Sequence, residues 1–581
     1  MGERGLPFPR CGRGRGREPS FLGFNDVAGW VRPPRITGAA RQDGKIMSPA
    51  TGTLKQQLLR RRVPIGVHAD GLPDSIRQVE YGETDGKPIP SLDQASDDPN
   101  VNAIVAAHEA TGLKRSLSTF HLTMIGVGGT VGTGIFFILS EAVPEAGPAV
   151  AISFLLAAFV AGPTVVCYAE LASVIPSSGS SYSYTYATMG ELAAFAVGVC
   201  LILEYGVSAA AVAVGWSEYV ALLIHNIFHV DLPAPLLNSP ETGGIVNLPA
   251  VILIFMCFIL LMRGASESAT ANTIMVFIKV GVLVAFSAVA FTAFQADNFA
   301  NFAPLGAAGI SVATGSIFFS FIGLDAVATT GDEVKDPQRS VPRALIFALI
   351  IVTGIYLLVS ISALGAQHWT LFEGQQAGLA QIVESVTGAT WPGTVLAAGA
   401  VISIFSVTLI CLYGQTRILY SMGRDGLLPA AFSKVNPVTH VPTLNTWVVA
   451  IAVAILAGFL PLGILADMTS IGTLSAFLLV SVGVIVLRKT APNLKRGFRV
   501  PLYPLTPILS IVACIYVMTS LGKVTWAAFV AWMALAFVFY FAWSRKHSEL
   551  QILHDMEVSE GGGSLASSPD ASAWEGPDAG A

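Results

Sequence analysis

From about residue 120 onward, apolar residues run in unbroken blocks separated by short polar turns, with no alternation of polar and apolar positions. Blocks of ~20 apolar residues are what an α-helix needs to cross the hydrocarbon layer of a bilayer. Twelve such runs lie near 120–142, 148–174, 189–224, 246–262, 270–294, 308–330, 341–366, 390–420, 443–462, 466–487, 502–520 and 523–543. The third and eighth exceed a perpendicular crossing, which predicts strong tilt or extension into water. The pattern predicts an all-α polytopic membrane protein with 12 transmembrane helices. Residues 113–545 form the twelve-helix domain, 1–112 a disordered cytoplasmic amino-terminal arm and 546–581 a disordered cytoplasmic tail.

Composition supports this. The 581 residues are 53% hydrophobic and 12% charged, about half of the ~25% charged share of soluble domains. A net charge of -5 speaks against nucleic acid as a partner. Cys11, Cys167, Cys200, Cys257, Cys411 and Cys514 are scattered without a CxxC pair, so disulfide and metal roles are not expected. The first run of spanning length begins near His121, too late and too long for a signal peptide, so the first helix is expected to direct insertion. Met47, ahead of a short interfacial helix candidate at residues 54–62, is an alternative start to Met1.

Basic residues orient the helices. The turns after the fourth, sixth, eighth and tenth runs carry Arg263; Lys335, Arg339 and Arg343; Arg417, Arg424 and Lys434; and Arg488, Lys489, Lys495, Arg496 and Arg499, whereas the opposite turns carry Lys523 alone. The positive-inside rule places both termini in the cytoplasm, and the cell (plasma) membrane is the expected location. The turn after the second run, residues 176–188, has no basic residue.

Two runs contain their own interruption. Gly126, Gly128, Gly129, Gly132 and Gly134 crowd nine residues of the first run. Each glycine costs about 1 kcal/mol against alanine in a helix, so the cluster marks a break. Non-helical backbone at that depth must line a cavity or be buried by protein. The free N–H groups where the helix resumes suit a carboxylate, while the alternative use of small residues is close helix packing. The dinucleotide pattern GxGxxG fails at Val131 and Phe137. The sixth run carries Gly315, Gly323 and Asp325 at matching depth. Interrupted helices at corresponding positions of two halves point to an inverted-repeat transporter, runs one to five against six to ten.

Four ionisable residues lie inside runs: Glu170, Glu204, Lys279 and Asp325. Each is costly there unless paired or wetted, and so is a functional candidate. Lys279 fits a proton carrier, a fixed substitute for a bound cation, or a static ion pair. Glu170 lies towards the cytoplasmic end of its run and fits a role in holding a loop.

These residues resemble a known family. Leu113-Lys114-Arg115-Ser116-Leu117 leading to Gly132-Thr133-Gly134-Ile135-Phe136, then Tyr168-Ala169-Glu170-Leu171, Leu203-Glu204-Tyr205, Phe321-Ile322-Gly323-Leu324-Asp325, Asp336-Pro337-Gln338-Arg339 and Arg424-Asp425-Gly426-Leu427-Leu428-Pro429 are similar to stretches of amino acid/polyamine/organocation (APC) superfamily permeases, in the cationic amino acid transporter-like branch of bacterial type. The resemblance implies a LeuT-type 5+5 inverted repeat with broken helices 1 and 6, and alternating access. It implies that the backbone and hydroxyl at Gly132, Thr133 and Gly134 bind the substrate carboxylate. Carbonyls of Thr130, Phe319, Ser320 and Ile322 would take the α-amino group, with Phe319 as a gate. Lys279 matches the lysine that replaces a bound ion in proton-coupled relatives, and Glu204 and Asp325 would act in recognition or coupling. Two departures stand out: Asp332-Glu333 where two glutamates are common, and Glu218 where a small residue is usual, as a partner for a cationic substrate or an acid facing the outer water.

The expected function is secondary active, proton-coupled amino acid uptake, with small-molecule substrate, protons and membrane lipid as partners and no cofactor or metal. Alternatives are an exchanger, a sodium-coupled symporter, or a non-transporting sensor. An enzyme is not expected: no HExxH occurs, and Gly264-Ala265-Ser266-Glu267-Ser268 fails the GxSxG pattern at its last residue.

Overall fold

The computed structural model describes residues 117–548 except 133, 176–179, 265–268, 437–438, 440 and 493–495. The expectations for 1–112, for the start at Met47 and for most of the tail fall outside the described residues. Of the tail, Lys546 and His547 close a short helical turn and Ser548 is buried.

Among the described residues the secondary structure is helical, with a single parallel bridge between Leu117 and Val334. The main helices are α1 Thr119–Thr130, α2 Ile138–Ala146, α3 Val150–Val174, α4 Ser180–Met189, α5 Glu191–Phe228, α6 Leu248–Met262, α7 Ala269–Thr292, α8 Gly306–Phe318, α9 Pro337–Ala366, α10 Gly378–Thr387, α11 Thr390–Arg424, α12 Thr443–Phe459, α13 Leu462–Thr490, α14 Leu505–Ser520 and α15 Lys523–Phe539. Among the described residues, eight helical stretches are long and apolar enough to cross a membrane, and α6, α12 and α14 are shorter apolar helices. The chain is thus a multi-pass membrane protein.

Local chemistry sets the helix ends. Ser118 caps α1 by accepting from the His121 N–H, and Asn247 caps α6 by accepting from the Ala250 N–H at 3.1 Å, with Pro249 in the first turn. The sequence differs from the structure in two turns: of the turn expected at 176–188, residues 180–188 form α4 together with Met189, and α10 occupies a stretch between apolar runs. Both are short helices stabilised by packing, α4 against α5 and α13 and α10 against α11, so neither shows as an apolar run of spanning length.

The first run breaks after α1. Val131 is extended, Gly132 has φ 116°, and helix resumes at Ile138. The sixth run passes from α8 into a 3-10 turn at Phe319–Phe321, breaks at extended Ile322 and at Gly323 (φ 93°), and continues as 3-10 helix Leu324–Glu333. These broken segments run antiparallel. The start of α1 touches Val334 at the end of the sixth run, while a Cβ on Gly147, past α2, would meet Pro304 just before α8. Long α5 packs on α11 and α13, α9 packs on α3, α1 and α7, and the breaks lie between these groups.

Buried Glu170 of α3 fastens another joint. Its carboxylate accepts from Arg488 Nε at 2.8 Å, Arg488 Nη2 at 2.5 Å and the Val500 N–H at 2.7 Å, and Arg496 Nε lies 3.1 Å away. The loop-holding reading of Glu170 is the one the structure supports. Removing one member of a buried ion network leaves uncompensated charge and costs about 3–5 kcal/mol. Glu170→Ala is therefore expected to lower the unfolding temperature in detergent and the yield of folded protein; an unchanged melting curve would overturn this.

Candidate functional site

The two breaks are in contact. A Cβ on Gly323 would lie 2.6 Å from the Gly129 carbonyl oxygen, and one on Gly134 would lie 2.0 Å from Ser320 Oγ. Only residues without a side chain let the backbones approach this closely. Tyr356 of α9 stitches them, its hydroxyl lying 2.8 Å from the Thr130 carbonyl and 2.7 Å from the Ser320 carbonyl. The antiparallel arrangement brings two carbonyl-bearing helix ends, those of α1 and of α8 with its 3-10 turn, together with the N–H-bearing starts of α2 and Leu324–Glu333. Partial negative and positive charge therefore lie side by side, complementary to the two ends of a zwitterion.

Thr130, Gly132, Gly134, Phe319, Ser320 and Ile322 are all buried at this junction, and Thr133 lies outside the described residues. Gly132 faces α11, where an added Cβ would sit 3.1 Å from Val407 Cγ2 and 3.5 Å from the Ser403 carbonyl. The Thr130 hydroxyl donates to Gly126 O at 2.7 Å. The Phe319 carbonyl accepts from the Ile322 N–H at 3.3 Å, and its ring is 6.1 Å from that of Phe137. Lys279 of α7 is fully buried and its Nζ donates to the Gly128 carbonyl at 2.9 Å. Asn272, two turns earlier, approaches Gly128 from the same helix.

Glu204 and Asp325 form a separate buried pair. Tyr205 donates to Asp325 Oδ2 at 2.9 Å, and each acid lies within the other's field. Glu218 is half-buried, accepts from the Ala377 N–H at 3.2 Å, and lines a cavity of about 280 Å³ with Ser140, Glu141, Ser217 and Asn247. That cavity opens at the Gly147 end of the broken segments, and Ser140 stands in the first turn of α2 after the break.

Sequence reasoning missed Tyr356, Tyr205 and Arg496. Tyr356 had a signal, as the single tyrosine in the aliphatic run Pro337–Ala366. For Tyr205, beside Glu204, and Arg496, one of several loop cations, nothing local distinguished the partner it would find.

Paired broken helices within a multi-pass helical membrane protein define a permease class. A family model described as amino acid permease matches residues 117–542. The methylthioribose transporter of Bacillus subtilis (strain 168) is 40% identical over 454 residues, 78% of this chain and 98% of the relative. The branched-chain amino acid permease BcaP of the same organism is 40% identical over 451 residues, 77% and 97% of the two chains. Cationic amino acid transporter 2, vacuolar, of Arabidopsis thaliana is 37% identical over 390 residues, 66% of this chain and 61% of the relative. The chain belongs to the amino acid permease family of the APC superfamily, whose members are transporters and not enzymes.

Proposed function

We propose that this protein takes up amino acids across the cell membrane by proton-coupled alternating access. The twelve runs are crossings of a LeuT-type fold spanning residues 113–545, with both termini cytoplasmic and the Gly147 end outside. The observation that carries the reading is the junction of the two breaks. Backbone N–H groups and the hydroxyl around Gly132, Thr133 and Gly134 receive the carboxylate; carbonyls of Thr130, Phe319, Ser320 and Ile322 receive the ammonium; and the Phe319 ring covers the substrate. Tyr356 bridges the Thr130 and Ser320 carbonyls, so moving one broken helix strains its partner. Lys279 senses the same junction through Gly128, and Glu204 and Asp325 supply further exchangeable protons.

An apolar side chain fits best. Val407 stands against Gly132, Asp325 is engaged by Tyr205, and one relative at 40% identity is named for branched-chain amino acids. The cavity that holds Glu218 is the outer approach.

The test is uptake of labelled leucine, arginine and methylthioribose into proteoliposomes, with and without an inward proton gradient. Leucine accumulation driven by the gradient is the expected result. Uptake that ignores the gradient, with rapid counterflow, would make the protein an exchanger. Dependence on sodium would replace the coupling ion, and binding without uptake would make it a sensor.

A further inference from the structure

Around the Glu204–Asp325 pair lies a set of buried polar side chains that approach one another without full hydrogen-bond geometry. Both carboxylate oxygens of Glu204, Oδ1 of Asp325 and the hydroxyls of Ser180, Ser181 and Thr185 are buried without a well-formed hydrogen bond to any protein group. Buried polar groups are almost always hydrogen-bonded, to protein or to ordered water. Six such atoms in one neighbourhood are hard to reconcile with a dry core.

Their placement is continuous. Ser180 adjoins Asp325, Ser181 adjoins Tyr168, and Tyr168 faces both acids. Thr473 of α13 flanks Glu204 on the other side. Among the described residues, the other titratable groups facing the pair are Tyr205, Cys200 and Cys411. Ser181, Thr185 and Thr188 share one face of α4 at i, i+4 and i+7. That face packs on α13, where Thr188 Oγ1 is 3.0 Å from the position of a Cβ on Gly483. Gly483 is about 15 Å along α13 from Thr473 at 1.5 Å per residue, towards Arg488. The hydroxyls thus lead from the acid pair to the end of α13 that the positive-inside rule makes cytoplasmic.

Ser180 adds an independent sign. It is a non-glycine residue held at φ 49°, a conformation that persists only where the surroundings enforce it and that gathers at functional sites. On the opposite side, Tyr182 donates to Asp425 Oδ2 at 2.8 Å and anchors α4.

We infer that water held between the α4 hydroxyls and the Glu204–Asp325 pair forms a hydrogen-bonded path by which that pair exchanges protons with the Arg488 end of the protein, with Ser181 and Thr185 as its positioning residues. This rests on the proton-coupled reading above. A carboxyl gives its proton to the adjacent water, and each oxygen passes one O–H proton to the next. Each step breaks one O–H bond and forms another, and no further reagent is needed.

Two measurements test it on the full-length protein. Hydroxyl-radical labelling in ¹⁸O water is expected to modify Tyr168 and Tyr205 despite their burial, while Phe286 and Phe318, buried among apolar residues, stay unmodified. In proteoliposomes, Ser181→Ala/Thr185→Val is expected to slow gradient-driven uptake about tenfold, the size of effect of a lost buried hydrogen bond. Counterflow without a gradient should stay within about twofold of wild type, and Ser181→Thr, which keeps the hydroxyl, should couple as wild type does. Tyrosines as unreactive as Phe318 would overturn the water path, whatever the transport result. Labelled tyrosines with unchanged gradient-driven uptake in the double variant would overturn the relay. A wild-type protein that ignores the gradient would sink both the coupling reading and the relay, while the labelling would still decide whether the water is there.

Discussion

Lys279→Ala is expected to abolish gradient-driven accumulation of substrate while the protein still folds and binds. Lys279 is fully buried on α7 and donates to the Gly128 carbonyl at 2.9 Å, two residues before α1 ends at Thr130. The end of α1 carries the negative pole of its dipole, so an ammonium there holds the broken helix in place electrostatically as well as by a hydrogen bond. A hydrogen bond to a charged group contributes about 1.5–3 kcal/mol, which corresponds to about 10–150-fold in the equilibrium between the states it distinguishes. Arginine is not a substitute, because its planar fork cannot occupy the position of a compact ammonium, so Lys279→Arg should fail as Lys279→Ala does. The check is leucine uptake with and without a proton gradient, beside counterflow and size-exclusion profiles for each variant. Accumulation that survives the alanine substitution would make Lys279 a static brace for α1 and move coupling to the acid pair.

What could be read in the sequence follows a physical division. Each break was visible because glycine is costly in a helix, and Gly132 and Gly323 do take up positive φ where the helices stop. Runs of apolar residues were visible because a bilayer enforces their length. Pairings across the fold were not. The depth of Glu170 near the end of its run pointed to a loop-holding role, but not to its partners Arg488, Arg496 and the Val500 N–H. Glu204 and Asp325 carried no local sign of theirs, because partners lie far along the chain, 330 positions for Glu170 and Val500 and 120 for Asp325 and Tyr205. The same reason hid Tyr356, whose hydroxyl joins carbonyls 226 and 36 positions distant. Helix α4 escaped for a different reason: a ten-residue polar helix carries no period strong enough to show against a loop, and its packing against α13 supplies what propensity does not.

Gly323→Ala is expected to stop transport in a protein that still inserts. At φ 93° an L-residue is strained, and the added methyl would stand 2.6 Å from the Gly129 oxygen and 2.8 Å from its carbonyl carbon. Left-handed backbone costs about 1–2 kcal/mol for a residue with a Cβ, and overpacking costs about 1–3 kcal/mol more. Both fall on the contact between the two breaks, so the breaks must separate and the carbonyls that Tyr356 bridges move apart. Gly281→Ala and Gly354→Ala are the controls, since a Cβ at either meets nothing within 4 Å; in helix interiors they should be neutral or stabilising by up to about 1 kcal/mol. A second pair of variants separates geometry from general damage. Gly134→Ala alone places its methyl 2.0 Å from Ser320 Oγ, and removing that side chain in Gly134→Ala/Ser320→Gly should return part of the lost uptake. Recovery in the double variant would tie transport to the closeness of the two backbones. Wild-type rates in Gly323→Ala would mean instead that the cycle runs without that contact, and the substrate site would have to be sought away from the junction of the breaks.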